Sequence, residues 1–361
     1  MGIVVGGKNE LIISGSNCDQ LLKQERALCV WKKKVEPEFI IPAELSQKCL
    51  PDKKGLIKLV ISTCLPEFAK NYQNKKLIND GPNCWGTAMS FNKLDPKPRF
   101  IWPEEMMYWI NNSPLCKKLS AGEEKLPGDI INVYAPEKMD ELERIEKDAG
   151  TKFWDSLYPN RYTAVVPDPS GSNYTGFHRL LHSVTYISDS LAFGKDSPAK
   201  DDHFYFHPMN EVYGRPGLES KECQENQSLI PYIREYQKAP QKIRGSKCSY
   251  FSLVYRCENF ADYFSKLKLK ESDTAIWKNV QSLQGIQEKL FPLLTSHNKI
   301  LEDSEVTHML ALADMTAKNA AAELQKTKLE KNREMLLTMQ YFAAAGIRQT
   351  LEQFELVKPI N

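Results

Sequence analysis

The chain has 361 residues, of which 42% are hydrophobic and 26% charged, and its mean hydropathy is −0.47. Lys and Arg number 48 against 46 Asp and Glu, so the net charge of +2 lacks the basic excess that strong binding to a nucleic acid backbone requires. No run approaches the roughly 18 apolar residues of a membrane span, and the composition excludes collagen-like and wholly disordered chains. At about 100–200 residues per domain, the length predicts two or three structural units.

The first predicted unit, residues 1–55, is rich in Lys, Glu and Pro and shows little periodicity. Because it holds three cysteines, we expect an extended N-terminal segment pinned by disulfides. Met1 to Glu10 lack the basic and long apolar regions of a signal peptide. If the protein is secreted or periplasmic, we therefore expect this sequence to be a processed form.

The second predicted unit, residues 56–257, mixes helix and strand signals. Helices are predicted over Cys64–Lys75 and Pro103–Asn112, the latter with Pro at its start and Glu in its first turn. Pro167 to Thr175 is composed of turn-forming residues and is predicted as a loop. The mixture predicts an α+β fold. The predicted strands are Asp129–Tyr134, Tyr162–Val166, His182–Ser188 and Phe204–His207.

The third predicted unit, residues 258–361, is helical. Apolar residues recur at spacings of three and four from Ile276 to Leu294. After a break near Pro292 and Ser296-His297-Asn298, a second helical segment runs from about Asp303 to Phe354. Two such segments predict a helical hairpin or a coiled-coil-like region. We expect it to pack on the core, and a protein partner bound through these helices is the alternative.

The nine cysteines favour an oxidising compartment. None forms a C-x-x-C pair, which argues against a structural zinc site and a thioredoxin-like redox pair. Because disulfides persist in oxidising compartments and the count is odd, we expect four disulfides and one functional thiol. Nine reduced cysteines in a cytosolic protein remain the alternative. The cysteines are Cys18, Cys29, Cys49, Cys64, Cys84, Cys116, Cys223, Cys248 and Cys257.

Cys84 is the candidate nucleophile. It follows an Asp80-Gly81-Pro82-Asn83 turn in which Asn83 can cap a helix that begins at the cysteine. The positive end of the helix dipole and the unsatisfied N–H groups there favour a thiolate, the nucleophilic form, and can also hold an oxyanion. A buried cysteine or a disulfide half is the alternative.

His182 is the candidate base, because it opens an alternating strand that would hold the imidazole rigidly. A core or solvent-exposed histidine is the alternative, and for His203 and His207 we prefer that alternative.

Three short motifs follow one another in an informative order. They are Asn83-Cys84-Trp85-Gly86, then Pro127-Gly128-Asp129-Ile130-Ile131, and then His182-Ser183-Val184-Thr185-Tyr186-Ile187. This order resembles that of the NlpC-type cell-wall endopeptidases of the papain-like cysteine peptidase superfamily, over about residues 60–215. The resemblance implies a papain-like core with an antiparallel sheet and a nucleophile at a helix N-terminus, with Cys84 as nucleophile and His182 as base.

The resemblance also implies a third polar residue about a dozen residues after the base. That position falls at Gly194, which has no side chain to offer, so we nominate Asp196, which shares the strand face of position 194. His207 and a backbone carbonyl are the alternatives. Asn83 and Trp85 are assigned to the oxyanion hole and substrate subsite, where Trp85 replaces the small residue usual in the family.

The chemistry implied is acyl transfer without a metal or cofactor, and the family implies peptide bonds in peptidoglycan stem peptides as the substrate. Two other functions remain open. One is a papain-like binding module that has lost catalysis, since Gly194 cannot orient a base. The other is a zinc hydrolase, although no H-E-x-x-H motif is present. Its candidate ligands are His178, His182, His203 and His207 with Asp201 or Asp202.

Overall fold

A computed structural model describes most of the chain. The described residues are 3–5, 11–15, 17–43, 49–51, 57–60, 62–73, 75–77, 81–91, 99–102, 105–106, 108–120, 122–136, 163–165, 175–197, 199, 202–213, 251–295, 301–326 and 329–355. The predicted loop over Pro167–Thr175 lies almost entirely outside them. Helices and antiparallel sheets are combined, which confirms the α+β class.

An antiparallel sheet of seven strands forms the centre of the molecule. Its strands are β5 (Cys116–Lys118), β6 (Ile130–Pro136), β7 (Thr163–Val165), β8 (Thr175–Ser188), β9 (Leu191–Gly194), β10 (Tyr205–Pro208) and β11 (Phe251–Cys257). The order is β10-β9-β8-β6-β11-β5, and β7 pairs with the beginning of β8. The four strands predicted from alternation are all present. In β6, in β8 from His182 onward and in β10, apolar residues fill the interior on one face or both.

A smaller antiparallel sheet lies near the N-terminus. It consists of β1 (Ile3–Val5), β2 (Leu11–Gly15), β3 (Leu50–Pro51) and β4 (Ile57–Val60), in the order β1-β2-β4-β3.

The expectation of an extended N-terminal segment is wrong, because Cys18–Val35 forms helix α1. Its buried face includes Leu21 and Leu28 but also Glu25 and Lys32, at 2% and 3% exposure. These two charges interrupt the apolar pattern that would have revealed the helix in the sequence. Lys32 is compensated by donation to the Thr63 carbonyl at 3.2 Å and by the Glu67 carboxylate.

Two short helices follow. Helix α2 spans Glu67–Tyr72 inside the longer predicted helix, and α3 spans Cys84–Phe91. Helix α3 is buried along nearly its whole length. The second predicted helix is represented by a π-helical turn over Tyr108–Asn112. Helix α4 (Met209–Tyr213) comes later and covers the opposite face of the central sheet from α3.

The C-terminal region contains a short helix and three long ones rather than a two-helix hairpin. They are α5 (Phe260–Ser265), α6 (Glu271–Thr295), α7 (Asp303–Leu324) and α8 (Lys331–Glu355). Pro292 lies inside α6, but α6 ends at Thr295 and α7 begins at Asp303, so these helices flank the predicted break at Ser296-His297-Asn298. A second break, which was not predicted, lies after Leu324 in a stretch without Gly or Pro. Met335 and Phe342 of α8 share one hydrophobic core with Met89 of α3, so this region packs on the core as expected.

Three disulfides are described, joining Cys18 to Cys49, Cys29 to Cys64, and Cys116 to Cys257. The first two tie α1 to the segments that follow it, and the third links the paired strands β5 and β11. Disulfide bonding is therefore confirmed, and Cys223 and Cys248 lie outside the described residues. Within the described chain, no helix is both long and apolar enough to cross a membrane.

Candidate active site

The start of α3 is fixed by Asn83. Its Oδ1 accepts the backbone N–H of Gly86 at 3.0 Å and that of Ile101 at 3.3 Å, and its Nδ2 donates to the Ile101 carbonyl at 2.7 Å. The predicted helix cap is thus confirmed. These bonds also attach the helix start to the segment at Ile101, so the amide of Asn83 is engaged in positioning backbone.

Gly86 lets that segment approach α3 closely. A Cβ atom at this position would lie 1.8 Å from the Arg99 carbonyl oxygen. Arg99 is itself fixed, because its guanidinium forms a buried bidentate pair with Glu105 and lies against Gly346 of α8. The geometry around the candidate nucleophile therefore depends on contacts from three separate parts of the chain.

Cys84 is unbridged, as predicted, but the thiolate expected from its helix position is not favoured in this conformation. The residue is 4% exposed, and burial raises the pKa of the Cys84 thiol to about 12. Hydrogen bonds to the sulfur from backbone at Ser183, Trp85 and Cys84 itself lower the pKa, while the charge of Asp196 raises it. Desolvation outweighs the helix start, so the thiol is protonated at neutral pH.

We expect the native thiol to resist alkylation by iodoacetamide at neutral pH, because the thiolate is the reacting species. Denaturing the protein without reducing its disulfides should increase the labelling rate at Cys84 by at least about tenfold, measured by peptide mass spectrometry. Selective labelling of the native protein at mildly acidic pH would contradict this prediction.

The raised pKa of Cys84 also predicts how the stability of the protein depends on pH. The protonated thiol stabilises the fold below its usual pKa of 9.0, and this contribution is lost as pH rises towards about 12. The free energy of unfolding should therefore fall more steeply over this range in the wild type than in Cys84→Ala, which serves as the control.

His182 lies in β8 and is 4% exposed. It sits at a β-bulge, because it pairs with Val133 while the next pair along joins Leu180 to Tyr134. Its Nε2 lies 3.4 Å from Oδ1 of Asp196, whose side chain is 51% exposed. Base and nominated third residue are thus adjacent, although Asp196 lies beyond the end of β9 and strand alternation does not govern its direction.

His207 occupies the space where a side chain at Gly194 would be. A Cβ at Gly194 would lie 3.2 Å from Nε2 of His207 and 3.1 Å from Cγ1 of Val184. The same Nε2 is 4.0 Å from Oδ1 of Asp196. From the sequence, His207 was expected to be a core or solvent-exposed histidine. The structure places its ring 6.0 Å from that of His182.

Tyr205 completes the surroundings of Asp196. Its hydroxyl donates to Oδ2 of the carboxylate, and burial together with this bond raises the pKa of Tyr205. One carboxylate oxygen therefore faces the two imidazoles while the other accepts the phenol, which fixes the orientation of the group.

Cys84 and His182 approach β8 from opposite faces of the sheet. His182 shares a face with Val184, because strand side chains alternate, and Val184 packs beneath α4. Helix α3 packs on the other face, where its Phe91 ring stacks on Phe193 at 4.8 Å between centroids.

Two links join the thiol to the imidazole. The backbone at Ser183, the residue after His182, hydrogen-bonds to the Cys84 sulfur, and the charge of Asp196 acts on the thiol while its carboxylate contacts the imidazole. The β8–β9 register ends at Thr185, so Ser183 lies beyond the length of β8 that β9 covers. The candidate site is therefore at the point where the chain leaves β9.

Lys195 holds the turn that carries Asp196, a role that was not predicted from the sequence. Its side chain is fully buried, and its Nζ donates to the carbonyls of Ser197 and Ala199. Asp202 lies 3.9 Å from the same amine and accepts the backbone N–H of Ser197 at 2.6 Å. A lysine in a polar turn normally faces solvent, so its role here is visible only in three dimensions.

We expect Lys195→Met to lower stability by about 1–3 kcal/mol, since it leaves buried carbonyls without their donor. If Asp196 orients His182, the variant should also lower kcat more than it raises KM. Denaturant unfolding and steady-state kinetics would measure the two effects, with the exposed Lys289→Met as control. Equal stability of the two variants would show that Lys195 does not hold the turn.

Trp85 follows the candidate nucleophile, but its ring packs against the core shared by α3 and α8. Its indole N–H is buried and has no hydrogen-bond partner in the described part of the chain. A pocket of about 360 Å³ lies elsewhere, between α1 and residues 122–127 and 186–189.

The ligand set considered for zinc is only partly brought together. His182 and His207 are close, but the third group beside them is Asp196. His203 and Asp202 are outside this cluster, and Asp201 and the side chain of His178 lie outside the described residues.

Comparison with known proteins adds no relative: no family model, curated protein or solved structure matches the chain.

Proposed function

We propose that the chain is an exported cysteine peptidase or amidase with a papain-like, NlpC-type core, in which Cys84 is the nucleophile and His182 the base. The observation that carries the proposal is the placement of Cys84. Among the described cysteines it is the one outside a disulfide, it begins a buried helix, and its sulfur hydrogen-bonds to the residue next to His182. Asp196 acts as the residue that positions the imidazole.

The raised pKa of Cys84 determines how the proton moves in the proposed reaction. The thiol is protonated in this conformation and reaches β8 from the face opposite the imidazole, so the opening that admits substrate must also bring the two groups together. His182 then takes the proton as a general base while the sulfur attacks the amide carbon. The imidazolium then gives this proton to the leaving amine, and water, deprotonated by the imidazole, releases the acyl group. Substrate must reach a sulfur that is 4% exposed, so binding is coupled to local opening of the site.

The groups that stabilise the oxyanion lie at the helix start. Backbone hydrogen bonds from Cys84 and Trp85 reach the sulfur, so the same N–H groups lie beside any carbonyl carbon bonded to it. Asn83 supports the site indirectly by holding the helix start.

The resemblance supplies the substrate class, namely peptide bonds in the stem peptides of peptidoglycan. Its P-G-D motif has a physical role at the entry to β6: Gly128 adopts φ +96°, and Asp129 accepts two hydrogen bonds of 2.9 and 2.8 Å from Arg256 of β11. The three described disulfides support export to an oxidising compartment.

The proposal is tested by incubating the purified chain with peptidoglycan and with soluble stem peptides. Mass spectrometry should detect products cleaved at an amide bond, with release of new amino groups in proportion to time and protein. If both substrates remain intact at high protein concentration, the substrate assignment fails.

A binding module without catalysis is the second candidate. The burial of both Cys84 and His182 favours it, because neither group is open to a substrate in this conformation. Co-sedimentation with insoluble peptidoglycan without cleavage, undiminished in Cys84→Ala, would support this function over hydrolysis.

A further inference from the structure

Three side chains at the end of β9 form a compact set of metal-ligating groups. Nε2 of His182, a carboxylate oxygen of Asp196 and a ring nitrogen of His207 all lie within 4.8 Å of one another. The two imidazoles come from β8 and β10 and are 4% and 5% exposed, so packing fixes their positions. Asp196 is half exposed and leaves one side of the cluster open to solvent.

The spacing suits a tetrahedral ion. Two atoms that each bind Zn²⁺ at about 2.0–2.1 Å in tetrahedral geometry are about 3.3 Å apart. The distance from His182 to Asp196 is 3.4 Å, and that from His207 to Asp196 is 4.0 Å. Closing the second distance requires a small shift of the half-exposed carboxylate or of the His207 ring.

Groups around the cluster orient its ligands. The Tyr205 hydroxyl donates to the far oxygen of Asp196, and Lys195 fixes the turn on which the carboxylate stands. Two imidazoles and one carboxylate with an open fourth position form a donor set that zinc accepts. Hydrogen bonds from groups outside the ligand set, as made here by Tyr205 and Lys195, are typical supports of metal ligands.

We propose that His182, Asp196 and His207 bind one Zn²⁺ ion, and that this ion inhibits the hydrolase by removing His182 from proton transfer. The inhibition rests on the proposed function, but the binding does not. A nitrogen that coordinates zinc donates its lone pair to the metal. While the ion is held by His182, Asp196 and His207, that nitrogen of His182 therefore cannot accept the thiol proton. The ion would therefore keep the enzyme inactive until it is withdrawn.

Zinc binding is measured by competition with a chromophoric chelator on the full chain. We expect one ion per chain for the wild type and the same affinity for Cys84→Ala, since the sulfur is not a ligand. His207→Gln should weaken binding by at least about tenfold, beyond the effect of losing an outer contact. His203→Gln, which changes a nearby imidazole outside the cluster, should bind as the wild type does.

Asp196→Asn changes a half-exposed side chain, so the variant is expected to fold. It should also weaken zinc binding at least about tenfold. No zinc binding by the wild type, or wild-type affinity in both His207→Gln and Asp196→Asn, would overturn the site. Loss of binding in Cys84→Ala would overturn the three-residue ligand set.

The regulatory half is tested by adding one equivalent of zinc to the active wild type and then withdrawing it with a chelator. Hydrolysis should stop and recover. Full activity with zinc bound would overturn inhibition. Zinc binding by a chain that never hydrolyses peptidoglycan or stem peptides would instead overturn the proposed function and leave the metal site standing.

Discussion

Cys84→Ala is expected to lower amide hydrolysis by at least about 10³-fold, because removing a covalent nucleophile leaves only the contribution of substrate binding and the oxyanion donors. The rate should be measured as release of amino groups from stem peptides under saturating substrate. Cys84 has neighbours from β8 and α3 in a buried site, so the smaller Ala side chain should cost only about 1 kcal/mol of stability.

Two controls separate catalysis from folding. Cys84→Ser replaces the thiol with a hydroxyl of similar size. It should be as inactive as Cys84→Ala, since a buried Ser oxygen is a far weaker nucleophile than a thiol sulfur. His203→Ala should retain most of the activity that His182→Ala loses. Hydrolysis by Cys84→Ala at the wild-type rate would show that the thiol is not the nucleophile.

Gly86→Ala is expected to destabilise the protein by about 3 kcal/mol or more, because the new Cβ would lie 1.8 Å from a backbone carbonyl oxygen. That carbonyl belongs to Arg99, which is held by Glu105 and by the close approach of α8. The clash cannot be relieved by rotating a side chain, so either the helix start or the Arg99 segment must move.

Gly285→Ala is the matched control. Gly285 also lies within a helix, α6, but a Cβ there has no heavy atom within 4 Å. This variant should stabilise the protein by about 0.5–1 kcal/mol, because Ala favours helix more than Gly does. Denaturant unfolding compares both variants with the wild type. Wild-type stability in Gly86→Ala would show that α3 and the Arg99 segment are farther apart than described.

Local signals in the sequence were sufficient for several features of the site. The turn before Cys84 and the capping residue Asn83 predicted where α3 begins, because a cap depends on residues within one turn of each other. Alternation predicted the strand that carries His182, because its side chains face two different buried layers. Cysteine parity predicted a thiol outside the disulfides, and Cys84 is such a thiol.

Features that depend on distant segments were missed. Helix α1 was hidden because Glu25 and Lys32 lie on its buried face, and Lys32 is compensated there by Thr63 and Glu67 from a later segment of the chain. The break after Leu324 carries no Gly or Pro and is set by how α7 folds back on α8. Lys195 was not recognised as part of the site, and His207 was kept only as an alternative, because each acts through contacts made across the β9–β10 turn.

The sequence by itself determined the α+β class, the helical C-terminal region and the start of helix α3, since each follows from signals along a short stretch of chain. It also nominated Cys84, His182 and Asp196, through three short motifs and the family resemblance that they carry. Only the tertiary structure decided that the thiol is buried and protonated, that it reaches β8 from the face opposite the imidazole, and that two histidines share one carboxylate. Desolvation and proximity are properties of the packed molecule, because they depend on which distant segments exclude water from a group and bring other charges beside it.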